Sequence, residues 1–253
     1  MSSHKKSAIA ALAEFDADYV SGRSFVLGID EAGRGSLAGP VSAGAVLIRQ
    51  NLYVNPDFLA ALADLNDSKQ LNESSREDIF KKLEAFKLAG AIDFEAGFAS
   101  VDEIEKHNIL GATQIAMTRA AEALNTRNTL LLRRAGAAST LFGEGAADLS
   151  KAVVLIDGRT MKKFPYAHQA IVKGDASSLA VAAASIVAKV SRDRLMGQLA
   201  LNYPRYGFET HKGYGTPAHL QALLLYGACR IHRPSFLKKL RAGAVEEKQG
   251  ELF

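Results

Sequence analysis

Short apolar runs rich in β-branched residues constrain the fold of this chain more than any other feature of its sequence. Each run has the length of a single strand. The predicted strands are SFVLGID (24–30), PVSAGAVLI (40–48), IDFEAGFA (92–99), AVVLID (152–157) and QAIVK (169–173). Helical patterns at 101–124 and from Ala176 to about Leu199 alternate with the later strands. Three leading strands followed by this alternation predict an α/β fold with a mixed sheet.

The long helix from Ala176 has two faces of different character. Its apolar stripe consists of Leu179, Ala183, Ile186 and Val190, and its opposite stripe consists of Ser178, Ser185, Lys189 and Arg192. The spacing predicts that the first stripe packs on the sheet and the second faces away from it. Farther along, Thr216 and Pro217 form a helix start, with the threonine as N-cap.

Two adjacent carboxylates, Asp30 and Glu31, end the first predicted strand and precede Gly33-Arg34-Gly35. Neighbouring strand residues point to opposite faces of a sheet, so these two carboxylates share a site only if the strand ends there. The glycines make such a turn easy. A solvated strand end is the simpler alternative, but the residues that follow are mostly small or apolar.

Two further acids lie at comparable places. Asp157 ends the run LIDG, and Asp175 stands where a strand gives way to the long helix. Each has a simpler explanation, because aspartate is a favoured helix N-cap and Asp-Gly is a common turn. Ligands of α/β sheets gather near strand termini, so acids at three strand ends favour a shared cleft.

Carboxylates in one cleft repel one another. Two like charges about 4 Å apart cost about 4 kcal/mol at an effective dielectric near 20. Raised pKa values or bound cations make such a cluster tolerable. Oxygen ligands without cysteine or histidine suit Mg²⁺ or Mn²⁺ rather than zinc, and the six histidines show no metal-ligand spacing. Carboxylates that hold two such ions are the usual apparatus of in-line phosphodiester hydrolysis.

The sequence resembles ribonuclease HII, which cuts the RNA-containing strand of hybrid duplexes, including at a single ribonucleotide embedded in DNA. The matching blocks are GIDEAGRGSLAGPV (28–41), DSKQL (67–71), LIDG (155–158), VKGDASSLAVAAASIVAKVSRDRLM (172–196), YPRYGFETHKGYGTPAH (203–219) and HRPSF (232–236). The resemblance implies a ribonuclease H-like mixed β-sheet flanked by helices, with a C-terminal helical part. It also implies cleavage 5′ of the ribonucleotide, which leaves 3′-hydroxyl and 5′-phosphate ends.

The resemblance assigns roles to particular residues. The metal-binding and catalytic acids of the family fall on Asp30, Glu31, Asp157 and Asp175. The turn Gly33-Arg34-Gly35 corresponds to the segment that contacts the junction between ribonucleotide and deoxynucleotide, and Tyr214 to the tyrosine that packs on the sugar beyond it. A tight turn and a packing residue are the simpler alternatives for these two. Candidates for phosphate contact are Lys69 and Lys173, followed by Lys189, Arg192 and Lys212.

The resemblance also divides the chain. We expect an N-terminal extension (1–23), a catalytic domain (24–200) with an insertion at 125–150, a C-terminal helical substrate-binding part (201–241) and a flexible tail (242–253). The extension is too short for the additional substrate-binding domain of ribonuclease HIII. The tail ends in QGELF, which resembles the pentapeptide that binds the bacterial sliding clamp, with Gln249 first and Leu252 and Phe253 as the apolar anchor.

Composition is consistent with a cytoplasmic nuclease. The net charge of +4 and a pI near 9.1 suit a polyanionic partner such as an RNA–DNA hybrid. The single cysteine, Cys229, excludes an internal disulfide and suits a reducing cytosol. The longest apolar stretch, Leu179 to Ala188, is far below the roughly 20 residues of a membrane span. We therefore expect a cytoplasmic monomer without a membrane contact.

Two other functions compete with an endoribonuclease. A non-catalytic nucleic-acid-binding protein on the same scaffold predicts the loss of at least one acid, and all of them are present. A junction-cutting nuclease of the same superfold has no need of a sensor for the ribose 2′-hydroxyl, so the turn at Gly33 and Tyr214 argue against it.

Overall fold

The structure is a computed structural model that describes residues 3–20, 22–67, 71–136 and 149–238. At its centre is a five-stranded sheet in the order β3-β2-β1-β4-β5. The strands are β1 (Phe25–Ala32), β2 (Val41–Arg49), β3 (Ile92–Ala99), β4 (Ala152–Asp157) and β5 (Gln169–Ile171). β1, β2 and β3 pair in antiparallel fashion, whereas β4 runs parallel to both β1 and β5. The predicted mixed sheet is confirmed.

Helices cover both faces of the sheet. They are α1 (Ser3–Tyr19), α2 (Pro56–Ala61), α3 (Glu73–Leu88), α4 (Val101–Asn128), α5 (Leu179–Asn202), α6 (Phe208–His211) and α7 (Pro217–Tyr226). Val26 joins the hydrophobic cluster under α5, and its neighbour Leu27 joins the cluster under α4. This division follows from the two-residue period of a strand, which sends successive side chains to opposite faces. None of the helices in the described ranges is both long enough and apolar enough to cross a membrane.

Glycines in the central strands let α5 approach the sheet closely. A Cβ atom on Gly28 would lie 2.2 Å from the carbonyl carbon of Ala180, and one on Gly44 would lie 2.2 Å from the carbonyl oxygen of Ala184. Neither separation is compatible with a side chain, so the backbones of strand and helix are in direct contact. This contact brings Ser185 and Lys189 of α5 to the cleft at the end of β1.

Helix α1 packs into the same core as the sheet. Ile9 and Leu12 are buried against residues of α5 and the sheet. Asp16 of α1 accepts a hydrogen bond of 2.8 Å from the backbone N–H of Ala180, in the first turn of α5. A carboxylate at this position satisfies an unpaired amide and complements the helix dipole. Residues 8–20 of the predicted N-terminal extension are therefore part of the support of α5.

Several element boundaries differ from the predictions. Helix α5 begins at Leu179 rather than Ala176, because the side chain of Ser178 caps it by accepting a 3.2 Å hydrogen bond from the N–H of Val181. Asp175 lies in a preceding 3-10 turn, Gly174–Ala176, so it is not the N-cap of α5. Strand β5 ends at Ile171, two residues earlier than predicted.

Helix α4 contains a break that the sequence pattern does not predict. Asn108 has φ 57° and ψ 172°, a conformation that is nearly exclusive to glycine. Its side-chain oxygen accepts hydrogen bonds of 2.9 Å from Leu110 N–H and 3.1 Å from Gly111 N–H. These bonds cap a second helical segment, so α4 restarts after the break and continues to Asn128.

Candidate active site

The acids at the ends of β1 and β4 are neighbours because the two strands are parallel and adjacent. Ile29 pairs in register with Ile156, so Asp30 and Asp157 occupy equivalent places one residue farther along. Asp175 follows Gly174, whose N–H donates a 2.6 Å hydrogen bond to Oδ1 of Asp157. Strand pairing and this turn bring acids from three parts of the chain to one edge of the sheet.

The pKa values of Asp30 and Glu31 are raised, and neighbouring carboxylates contribute to both shifts. Burial, followed by the charges of Glu31 and Asp157, raises the pKa of Asp30 well above its usual value. Burial also raises the pKa of Glu31, although the nearby guanidinium of Arg34 acts in the opposite direction. The Arg34–Glu31 ion pair is 2.9 Å long. An additional cation next to these carboxylates would relieve both burial and repulsion.

The carboxylates do not converge on a common point in their present side-chain conformations. In the described part of the chain, no three aspartate, glutamate, histidine or cysteine side chains form a group that could hold a metal ion. Each acid instead has a protein partner. Asp30 accepts a 2.7 Å hydrogen bond from the N–H of Glu31, Glu31 pairs with Arg34, and Asp157 accepts from Gly174. The donor chemistry, all carboxylate oxygen, fits a hard divalent cation, and binding one requires rotation of these side chains.

An open cleft of about 270 Å³ lies next to Glu31. Its lining residues are Glu31, Ala32, Gly33, Arg76, Ser185, Ile186, Lys189 and Tyr214. The Nζ atom of Lys189 lies 5.2 Å from the ring centroid of Tyr214, within cation–π range. The predicted substrate residues Gly33 and Tyr214 thus share one cleft with the acid Glu31.

Within the turn after β1, the two glycines have different environments. Gly33 is buried with φ +87°, and a Cβ atom there would lie 2.0 Å from Nε of Arg192. Gly35 is exposed, and a Cβ atom on it would meet nothing within 4 Å. The fold therefore requires glycine at position 33, whereas position 35 leaves open space toward solvent.

The remaining residues predicted to contact phosphate or a partner have different environments or lie outside the described residues. Lys173 is exposed and has φ 57°. Lys189 forms a 2.8 Å ion pair with Asp193, and Lys212 forms one of 3.1 Å with Glu73. Lys69 and the tail residues Gln249, Leu252 and Phe253 lie outside the described residues.

Arg192 is where the sequence prediction was wrong. The helical pattern placed it on the outward polar stripe as a candidate for phosphate contact, but its side chain is fully buried. Its guanidinium donates to the carbonyls of Pro40 and Lys212, both at 2.9 Å. Burial lowers its pKa. The stripe points toward the segment between β1 and β2, which closes over this part of α5.

Sequence reasoning also missed two features of the C-terminal part. Arg233 is fully buried beneath the same segment. Three histidines form a buried chain in which His211 stacks on His219 at 4.4 Å between ring centroids and Nε2 of His219 lies 3.0 Å from Nε2 of His232. The motifs HKGYGTPAH and HRPSF contain these residues, but spacing alone does not indicate that the side chains meet.

The mixed sheet flanked by helices, with acids at the ends of the adjacent parallel strands β1 and β4, places the chain in the ribonuclease H-like fold class. The chain belongs to the ribonuclease HII family, whose model matches residues 27–239. A ribonuclease HII of Acidovorax sp. (strain JS42) is 43% identical over 217 residues, which are 86% of this chain and 87% of that protein. The recognition of the family from its sequence blocks is confirmed, and the protein is a ribonuclease H-type endonuclease (EC 3.1.26.4).

Solved structures share the fold. The complex of PCNA and RNase HII from Archaeoglobus fulgidus matches with a TM-score of 0.57 at 20% identity, covering 83% of this chain and 94% of that chain. Bst-RNase HIII in complex with Mn²⁺ matches with a TM-score of 0.58 at 17% identity, covering 94% of this chain and 74% of that chain. At these identities the likeness concerns the fold alone.

Proposed function

We propose that the protein cuts duplex nucleic acid 5′ of a ribonucleotide, including a single ribonucleotide embedded in DNA, and leaves 3′-hydroxyl and 5′-phosphate ends. The observation that carries this proposal is the common cleft of Glu31, Gly33 and Tyr214 at the acidic edge of the sheet. A nuclease that reads one ribose needs its cutting groups and its sugar-reading groups within one nucleotide of each other.

Asp30, Glu31, Asp157 and Asp175 would hold two divalent cations, Mg²⁺ or Mn²⁺. Bound at these carboxylates, such ions would supply an activated water and would neutralise charge on the leaving oxygen. The all-oxygen donor set and the raised pKa values of Asp30 and Glu31 support this assignment. Deprotonation of Asp30 is then linked to cation binding, because a neighbouring positive charge favours the ionised carboxylate.

Residues of the turn and of α5 would orient the substrate. Gly35 is exposed and leaves room for a sugar or phosphate to approach its backbone amide. A hydrogen bond to the ribose 2′-hydroxyl distinguishes RNA from DNA at one position. The half-buried ring of Tyr214 offers a flat surface for the neighbouring sugar, and Lys189 beside it supplies positive charge.

A cleavage assay tests the function. The substrates are a labelled duplex with one ribonucleotide and its all-DNA twin, each incubated with Mg²⁺, with Mn²⁺ and with chelator. We expect one cut, 5′ of the ribonucleotide, only in the presence of a divalent ion. Cleavage of the twin, or cleavage in chelator, contradicts the proposal.

Substitutions test the metal-binding role of the acids. Asp30→Asn and Asp157→Asn should each lower the cleavage rate by orders of magnitude and leave the affinity for the duplex nearly intact. Asp57→Asn is the matched control, because Asp57 is exposed at the start of α2. Activity near that of the control in either variant refutes the assignment.

We also propose that the C-terminal QGELF binds the replication sliding clamp through Gln249, Leu252 and Phe253. A tail that docks on the clamp raises the local concentration of the nuclease at newly made DNA. The archaeal complex of PCNA and RNase HII supports a clamp as partner of a protein with this fold. Deletion of residues 249–253 should abolish capture of the enzyme by immobilised bacterial clamp and leave cleavage unchanged. Equal capture of the shortened chain contradicts the proposal.

A further inference from the structure

The guanidinium of Arg192 on α5 forms hydrogen bonds to the segment 33–40, which connects β1 and β2. Its Nε donates a 2.9 Å hydrogen bond to the carbonyl of Pro40, and its Nη2 donates at 3.0 Å to the carbonyl of Ala38. Nη2 also donates at 2.7 Å to Oγ of Ser36, and that hydroxyl donates at 2.9 Å to the carbonyl of Gly33. One guanidinium thus restrains the segment from its first residue to its last.

Arg233 holds the same segment from the C-terminal side. Its Nε donates at 2.9 Å to the carbonyl of Gly39, and its Nη1 donates at 3.1 Å to the carbonyl of Arg34. Its backbone N–H donates at 2.9 Å to the carbonyl of Leu37. Together the two arginines direct most carbonyl oxygens of the segment into the protein.

The amide groups at the start of the segment are arranged differently. Among the described residues, no acceptor receives a hydrogen bond from the backbone N–H of Arg34 or Gly35, and both residues are exposed. A turn whose carbonyls are held inward and whose consecutive amides are unpaired presents a donor surface to an incoming oxygen atom. The exposed surface of this turn is therefore prepared for an acceptor.

Arg192 also joins this turn to Tyr214. Its Nη1 donates at 2.9 Å to the carbonyl of Lys212, and its Cζ lies 5.4 Å from the ring centroid of Tyr214. In the proposed function, the turn after β1 and Tyr214 both face a sugar of the substrate. Both are in contact with the same buried guanidinium. Displacement of this guanidinium would move both elements at once.

Stability alone is a poor explanation for this pair. Both side chains are fully buried, and Nη2 of Arg233 has no hydrogen-bond partner among the described residues. Burial, followed by the charge of Arg192, lowers the pKa of Arg233 to about 9. Apolar side chains of similar volume commonly give equal or higher stability than buried charges. Guanidinium groups do what apolar side chains cannot, because each fixes several carbonyls in one planar geometry.

We propose that Arg192 and Arg233 are positioning residues that set the amides of Arg34 and Gly35 to receive an oxygen atom of the substrate ribose or its phosphate. The inference rests on the proposed cleavage at a ribonucleotide. Neither arginine touches the substrate. Each acts through the carbonyls of segment 33–40, and Arg192 acts in addition on Tyr214.

Single-turnover cleavage of the duplex with one ribonucleotide tests the inference. With saturating enzyme, the rate constant does not depend on the fraction of protein that is folded, so a merely destabilising substitution leaves it unchanged. Arg192→Lys and Arg233→Lys keep a positive charge but lose the planar fork, and we expect rate constants about 10²-fold lower, typical of a displacement of about 1 Å. Ser36→Ala removes the hydroxyl that links Arg192 to the carbonyl of Gly33, with little change in volume, and keeps the 3.4 Å hydrogen bond from the backbone N–H of residue 36 to that carbonyl. It should lower the rate constant about tenfold.

Arg194→Lys is the matched control, because Arg194 lies on the same helix in an exposed 2.6 Å ion pair with Glu77, and it should cleave as the wild type does. Circular dichroism establishes which variants fold, and Ser36→Ala decides if both arginine variants unfold. A folded Arg192→Lys or Arg233→Lys variant whose rate constant is within threefold of that of the wild type overturns the inference. If both arginine variants unfold, a Ser36→Ala rate constant within threefold of that of the wild type overturns it. If the wild type itself does not cut at the ribonucleotide, the proposed function fails instead.

Discussion

Replacement of Asp16 by asparagine should change how the stability of this protein depends on pH. Asp16 is fully buried on α1 and accepts the hydrogen bond from Ala180 N–H at the first turn of α5. Its other oxygen, Oδ1, is buried and accepts no hydrogen bond from a described residue. Burial raises the pKa of this carboxyl from 3.8 to about 6, although hydrogen bonds from Ser178 and Ala180 act against the shift.

The direction of the effect follows from the raised pKa. The folded state binds the proton more tightly than the unfolded state, so protonated Asp16 favours folding, and this contribution disappears as the pH rises through about 6. A rise of the pKa of Asp16 from 3.8 to about 6 corresponds to about 3 kcal/mol. From about pH 5 to pH 7.5, the linkage between protonation of Asp16 and folding lowers the free energy of unfolding of the wild type by about 1.4 kcal/mol.

Asparagine has the same shape and does not titrate. The free energy of unfolding of Asp16→Asn relative to the wild type should therefore rise by about 1.4 kcal/mol from about pH 5 to pH 7.5. The unpaired amide of asparagine adds an offset that is the same at every pH. Because all other groups titrate in both proteins, their contributions cancel in the difference.

Urea denaturation at a series of pH values in that interval measures the difference. Asp18→Asn is the control, since Asp18 lies exposed on the same helix, and its difference from the wild type should stay constant. An Asp16→Asn difference that is equally independent of pH would mean that the buried carboxyl has the same pKa in the folded and the unfolded chain, which would contradict the raised pKa.

Further predictions concern the turn and the histidine chain. Gly33→Ala should lower the melting temperature by several degrees in calorimetry, because its Cβ would meet Arg192, whereas Gly35→Ala should leave the melting temperature unchanged. Burial lowers the pKa of His232 to about 4, so its contribution to stability is complete above its unfolded pKa of 6.5 and is lost as the pH falls toward 4. Urea denaturation at about pH 8 and pH 5 measures how much the free energy of unfolding falls on acidification. In His232→Gln this fall should be smaller than in the wild type by about 1–2 kcal/mol, and an equal fall in both proteins would contradict the prediction.

The acidic edge of the sheet was accessible to sequence reasoning because local rules define it. A strand end followed by Gly33 or Gly158 can be recognised within a few residues, and parallel neighbours in an α/β sheet bring such ends together. The start of α5 was predicted three residues too early because Asp175 and Ser178 are both good N-caps. Only the geometry of the 3-10 turn decides between them.

The arginines could not be predicted in the same way, because nothing near Arg192 in the sequence indicates burial. Lysine and serine share its helical stripe, and such a stripe faces solvent in most amphipathic helices. Three of its four acceptors, Ser36, Ala38 and Pro40, lie more than 150 residues earlier in the chain, and the fourth, the carbonyl of Lys212, lies 20 residues later. The one local trace is Gly33, where the positive φ and the absence of a side chain are required by the guanidinium beneath it. A glycine that suggests close approach of a ligand can therefore equally mark the close approach of a buried side chain, and only the structure tells the two apart.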